Sequence, residues 1–352
     1  MTSCVGSSRN PTANCARGFY KTDGRGPTTT NLLIIMPWEP VQLNDGNKIP
    51  SIAFGTWTLG NGQSPIDQVE QAISVGFSHV DTAQSYRNEE EAGKAIRESG
   101  LARGDIFITT KYSGLNGLDI ETSIENSLKN LGVSYVDLYL IHHPRLAVPD
   151  IPTAWRKLEE LKERGLAKSI GVSNFGVPEL KTLLASAKIK PAANQILLHP
   201  YVHARQAPIL SFAASEGIAI EAYSTLIPLT RRPGGPVDVP VCKIAESRSI
   251  APEQVLLAWV KAKGAIVVTT SSKKDRLERY LDAGDLELTE TEVSAVDAAG
   301  AAGSQELSKR STTQTLTAIV LVAFLLWGTL HFGHLVGINV PLENWGQQVP
   351  CK

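Results

Sequence analysis

The chain has 352 residues, 42% of them hydrophobic and 20% charged, and a formal net charge of −1. That balance suits a globular protein with a sizeable core and supplies no basic field for gripping nucleic acid. Its four cysteines, Cys4, Cys15, Cys242 and Cys351, are scattered without CxxC or His-rich spacing, which excludes a disulfide scaffold or a zinc cluster and leaves no metal site to expect.

Residues 1–35 are rich in Ser, Thr, Asn and Gly, with Arg9, Arg17, Lys21 and Arg25 set against the single acid Asp23. No apolar run follows the start, so a secretory signal is not predicted, and the Asn10 triplet is blocked for glycosylation by Pro11. The stretch reads as a disordered extension ahead of Met36, although a basic, acid-poor composition is also that of a mitochondrial presequence. From Val41 the text changes. Asp45-Gly46, between Val41-Gln42-Leu43 and Ile49, predicts a β-hairpin with a tight primed turn, suited to capping the bottom of a barrel.

A strand–helix alternation follows. Short, apolar, often β-branched strands are predicted at 52–57, 78–82, 106–111, 137–142, 168–172, 193–197, 218–223 and 265–270, as parallel strands buried on both faces should be. Between them lie amphipathic helices, one carrying Ile120, Ile124, Leu128 and Leu131, another Trp155, Leu158 and Leu161. Asp150 before Pro152 caps one helix, and Thr289 with Glu292 forms the capping box of another. Eight such units without a long gap predict a closed (β/α)8 TIM barrel over 36–303, the size of ~250 residues usual for that fold.

A polar linker is expected at 304–314. From Ser311 to Leu342 there is no Lys, Arg, Asp or Glu, and the apolar run at 315–340 is long enough to cross ~30 Å of hydrocarbon. Lys309 and Arg310 precede it, which predicts a single-pass membrane helix with the barrel in the cytosol and a short tail at 341–352. The alternative is an apolar helix packed on the barrel of a cytoplasmic protein.

Four polar groups stand where apolar strands end: Asp81 after His79-Val80, Lys111 after Phe107–Thr110, His142 after Leu138–Ile141, and Ser173-Asn174 after Ile170–Val172. Successive separations are 30, 31 and 31 residues, one β/α unit each. In a parallel barrel the C-terminal strand ends open on one face, where active sites assemble. The residue types suit reduction of a carbonyl. A phenol is a reluctant proton donor, a lysine ammonium beside it stabilises phenolate and moves its pKa toward neutrality, and a carboxylate holds that ammonium charged. A histidine polarises the carbonyl oxygen. Tyr86, in the loop after Asp81, suits the donor role. Singly, each residue has a structural reading, as an ion pair, a core histidine or a loop aromatic. As a spaced set they point to catalysis.

The motifs GFSHVDTAQSYRNEEEAG (76–93), FITTKYS (107–113), VDLYLIHHP (136–144), GVSNF (171–175), ANQILLHPY (193–201), EAYSTL (221–226) and VVTTSSKKDRLERYL (267–281) occur in order. Through them the chain resembles the aldo-keto reductase superfamily. The resemblance makes Asp81, Tyr86, Lys111 and His142 the catalytic tetrad, with His142 preferred over His143 because it directly follows the Leu-Ile pair. It implies that Ser173, Asn174 and Gln195 hold a nicotinamide carboxamide and that Tyr223 stacks on the ring. Ser224 and Leu226 begin a pyrophosphate loop, and Thr270, Ser271, Ser272 and Arg276 take the adenosine 2′-phosphate of NADPH. Trp57 lines the substrate pocket.

The general style is similar to fungal members that reduce α-dicarbonyls and activated ketones, so the expected partner is a small carbonyl substrate, met by a monomeric barrel. A non-catalytic NADP(H)-binding redox sensor is the alternative, which the complete tetrad disfavours. The largest departure follows Gly300, where a short polar linker and the apolar tail replace a loop that folds over the substrate pocket, and three departures lie within the motifs. Leu197 replaces a frequent glutamate, Thr270 a frequent lysine whose role passes to Lys273 or Lys274, and Tyr112-Ser113 the usual apolar-Trp pair.

Overall fold

The computed structural model describes residues 38–305. The expected extension at 1–35 lies outside these residues, as do the apolar run at 315–340 and the tail at 341–352. Among the described residues no helix is long and apolar enough to cross a membrane.

Strands β1 (Val41–Gln42) and β2 (Lys48–Ile49) form the antiparallel hairpin. Its turn is not a two-residue primed one. Leu43 N donates to Asn47 O at 2.9 Å and Gly46 N to Leu43 O at 3.2 Å, and of the Asp-Gly pair only Gly46 has positive φ, 88°. That pattern is a turn closed by a left-handed glycine, a longer connection that Asp-Gly serves equally well.

Eight parallel strands then close a barrel: β3 (Ile52–Gly55), β4 (His79–Asp81), β5 (Phe107–Tyr112), β6 (Val136–Ile141), β7 (Ala167–Ser173), β8 (Ala193–Leu197), β9 (Ala219–Tyr223) and β10 (Ala265–Thr269), which pairs back to β3. The predicted spans match to within two residues at each end. The largest difference is at β3, which stops at Gly55 because the chain turns at Thr56, whose O accepts from Leu59 N at 3.3 Å, leaving Trp57 in a loop.

Helices follow the strands: α1 (Gln63–Val75), α2 (Glu89–Glu98), α3 (Ile120–Leu131), α4 (Ile151–Glu163), α5 (Val177–Leu184), α6 (Pro200–Glu216), α7 (Ile227–Thr230), α8 (Asp238–Arg248), α9 (Pro252–Ala262), α10 (Lys274–Asp282) and α11 (290–305). Local chemistry sets their ends. Asp119 accepts from Thr122 N at 2.7 Å to start α3, which Gly132 ends at φ 67°, and Asp150 accepts from Thr153 N at 2.7 Å to start α4. Thr289 and Glu292 exchange their capping-box bonds at the start of α11. This helix continues through 305, so the linker expected from 304 begins as helix.

Strand alternation divides the core in two. Outward-facing Ile108, Tyr139, Ile170 and Val267 pack with Trp155 and Trp259 under the helices. Inward-facing Phe107, Leu138, Leu140 and Ile266 meet Leu43 and Ile49 of the hairpin and close the lower end.

Candidate active site

The same alternation that sends Phe107 and Leu138 inward near the bottom brings polar side chains inward near the top. Lys111 continues the parity of Phe107, and Asp81 that of His79. His142 continues the parity of Leu138 and Leu140, Gln195 that of Ala193, and Glu221 and Tyr223 that of Ala219. Asp81, Tyr86, His142, Ser173, Asn174, Gln195 and Tyr223 line one cavity of about 480 Å³ at the C-terminal ends of the strands. Lys111 lies beneath them, fully buried.

Lys111 Nζ donates to Asp81 Oδ1 at 2.7 Å and to Thr82 O at 2.8 Å, and sits 5.0 Å from the centre of the Tyr86 ring. Burial pulls the ammonium's pKa down, but Asp81 and then Tyr86 lift it, and the net direction is above its ordinary 10.5, so Lys111 stays charged. Asp81 Oδ2 accepts from Gln195 Nε2 at 2.8 Å. The expected lowering of the Tyr86 pKa is not the net result. Burial raises it above 10.0, and the opposing pull of Lys111 is smaller. The phenol is therefore held protonated at rest.

The His142 ring lies edge-on to Tyr86, ring centres 5.6 Å apart. Burial, with Lys111, His143 and Arg145 adding repulsion, lowers its pKa to about 3, so the imidazole is neutral. His143 points elsewhere. Its Nδ1 accepts from Arg145 N at 3.2 Å to cap a short turn.

Two groups escaped the sequence reading. Ser113 Oγ lies 2.9 Å from His142 Nδ1 and accepts from Ser85 N at 3.3 Å. Its departure from the usual Trp was the available signal, but its contact was not visible. Glu221 is fully buried, 3.4 Å from Gln195 Nε2, with Oε1 unpartnered. Burial and then Asp81 raise its pKa to about 8, so it is neutral at physiological pH. Strand parity alone would have sent it inward.

The donor set around the rest of the cavity fits a nicotinamide dinucleotide phosphate. Asn174 donates Nδ2 to His142 O and Ser173 Oγ, each at 3.0 Å, while its Oδ1 accepts from Tyr223 OH at 2.8 Å. Asn174 (φ 62°) and Ser224 (φ 59°) both hold left-handed backbone beside the cavity, strain of the kind that accompanies ligand clamps. At the far edge Arg276 lines the cavity with Thr270 and has no carboxylate partner among the described residues, whereas its neighbour Arg279 pairs with Glu253 and Asp275. A guanidinium without a carboxylate partner there suits a phosphate.

Trp57, Ser224 and Leu226 also line the cavity. Ser271 and Ser272 do not. Ser271 Oγ instead accepts from Lys273 N at 3.1 Å, and Ser272 is exposed, as are Lys273 and Lys274.

Comparison with known proteins agrees with this architecture. The profile of the Aldo/keto reductase family matches residues 51–301. An NAD/NADP-dependent indole-3-acetaldehyde reductase of Schizosaccharomyces pombe is 36% identical over 72% of this chain and 93% of its own length. A methylglyoxal reductase of Yersinia pestis is 35% identical over 73% of this chain and 91% of its own. The crystal structure of a Bombyx mori aldo-keto reductase in complex with NADP superposes with a TM-score of 0.69 at 32% identity, covering 74% of this chain and 92% of that one.

Proposed function

The chain belongs to the aldo/keto reductase family and is an NADP(H)-dependent oxidoreductase of that kind, and from that premise we propose that it reduces aldehydes and ketones to alcohols with Tyr86 as proton donor. The observation that carries the reading is the cluster of Asp81, Lys111, Tyr86 and His142 at one end of the cavity. Bound NADPH supplies the hydride. Tyr86 gives its proton to the carbonyl oxygen, and the ammonium of Lys111, kept charged by Asp81, stabilises the phenolate left behind. His142, neutral, holds the oxygen from the other side through Nε2–H. Ser173, Asn174, Gln195 and Tyr223 hold the nicotinamide end, Ser224 and Leu226 the pyrophosphate, and Arg276 with Thr270 the 2′-phosphate, which favours NADPH over NADH.

We extend the reading to α-dicarbonyls. The methylglyoxal reductase among the relatives supports this, as does the Ser85 hydroxyl, 3.4 Å from His142 Nδ1, as a polar contact for a second carbonyl oxygen.

The test is NADPH oxidation by the full chain over a panel of aldehydes, methylglyoxal and diketones. Tyr86→Phe should lose kcat by ~10²–10⁴-fold while NADPH binding survives, since only the proton donor is removed. Wild-type turnover by that variant would refute the assignment. Tight NADPH binding without turnover of any carbonyl would leave the sensor reading instead.

A further inference from the structure

The geometry points to a second binding site beside the catalytic cavity: an anion-binding annex that selects carbonyl substrates bearing a carboxylate or phosphate. The inference rests on carbonyl reduction as proposed above and names its substrate class.

A cavity of about 670 Å³ is lined by Leu197, His199, Val202, Arg205, Arg232 and Ser304, and shares Ile227 and Arg231 with the catalytic cavity. Both cavities open at the same end of the barrel, because Leu197 ends β8, Arg205 lies near the start of α6, and Arg231 and Arg232 follow α7. Arg231 also lies 6.0 Å from the centre of the Trp57 ring, so one guanidinium borders both spaces. The walls are held firmly. A Cβ on Gly300 would lie 2.4 Å from Pro200 O, so α11 is docked backbone to backbone against the first turn of α6.

The charged groups of the annex are all cations, and its other polar side chains, His199, Tyr201 and Ser304, can each donate a hydrogen bond. Arg205, Arg231 and Arg232 have no carboxylate partner among the described residues, although Arg103, Arg164, Arg248 and Arg279 all have one. No Asp or Glu lines the cavity. His199, only 4% exposed, heads the 17-residue helix α6 without capping it, and its Nδ1 has no hydrogen-bond partner. Burial, then Arg232 and Arg205, lower the pKa of His199 to about 4, so it meets a ligand as a neutral imidazole able to donate one N–H. The helix dipole adds positive potential at the same place. Guanidinium forks match the planar oxygens of a carboxylate or phosphate, and the apolar Leu197, Val202 and Ile227 suit the carbon skeleton between that group and the carbonyl.

The experiment compares para-carboxybenzaldehyde with its methyl ester, which present the same aldehyde with and without a charge. The full chain is assayed as wild type and as Arg205→Ala/Arg232→Ala. Loss of charge-assisted bonds should lower kcat/KM for the acid by ~10-fold or more, with the ester changed by less than ~2-fold. NADPH affinity should be unchanged. Inorganic phosphate should compete with the acid in wild type and not in the variant. Equal losses on acid and ester, or no loss, overturn the annex, and so does weakened NADPH binding without a change in discrimination, which would assign the arginines to the cofactor. Calorimetric titration with inorganic phosphate reads the site without turnover. Weaker binding in the variant supports it and unchanged binding overturns it, even if neither aldehyde is reduced and the reductase reading falls.

Discussion

A neutral imidazole carries one proton on one of two nitrogens, and its hydrogen bonds decide which. At His142 the near partner of Nδ1 is Ser113 Oγ, at 2.9 Å. That oxygen already accepts from Ser85 N, and its other acceptor, Lys111 O, is farther away at 3.4 Å. The hydroxyl proton therefore goes to Nδ1, which leaves the imidazole proton on Nε2. Ser113→Ala removes this bias. We expect kcat to fall by ~10-fold with NADPH affinity intact, since a bond of about 1 kcal/mol or more fixes the tautomer. The ¹⁵N shifts of His142 should move toward a tautomer mixture, and Ser113→Thr should restore both. Unaltered shifts in the Ala variant would remove Ser113 from the mechanism. The spacing of Asp81, Lys111 and His142 could be read from the sequence because each sits one β/α unit from the next. The Ser113 contact could not, because it joins two loops 29 residues apart whose approach depends on the register between β5 and β6.

Between elements, the strand and helix spans were legible because apolar alternation and caps are local signals. Strand ends were less so, since their pairing depends on partners elsewhere, as that of Thr56 does on Asp81. The same non-local logic governs the joint between α4 and β8. Glu159, 4% exposed, accepts from Lys188 N at 2.7 Å and Ile189 N at 2.8 Å, tying the helix to the loop that feeds the strand. Glu159→Leu leaves two half-buried amide donors without their acceptor and should cost about 1–3 kcal/mol, while Glu159→Gln keeps an acceptor and should cost about 1 kcal/mol or less. Urea denaturation at neutral pH measures both. Equal costs would mean that the carboxylate matters for its charge.

Across the whole molecule, buried titratable groups set the pH range of stability. His79 and His199 have pKa values lowered to about 4 and His142 to about 3, from an ordinary 6.5, in each case first by burial. Below about pH 6.5 the unfolded chain takes up protons that the folded chain refuses, so stability present above that point is lost as pH falls. For the fully buried His79 alone the loss is on the order of 2 kcal/mol by about pH 5. Glu221 acts in the opposite sense. Its pKa is raised from 4.5 to about 8, so its contribution is lost as pH rises through that window. Stability should therefore peak near about pH 6.5. In a series of thermal melts, Glu221→Gln should flatten the alkaline limb and leave the acid limb in place. An unchanged alkaline limb would place its origin in other groups.

The hairpin residues Leu43 and Ile49, packed against Phe107 from below, give this tube a single door. The cavity above, lined by Asp81, Tyr86 and His142, is the side from which solvent approaches the buried ammonium. On the proposed chemistry a seated substrate shuts that door, so the phenol, once spent, is recharged only after the alcohol departs. On that chemistry the closed end of the barrel leaves the open end to carry both substrate and proton.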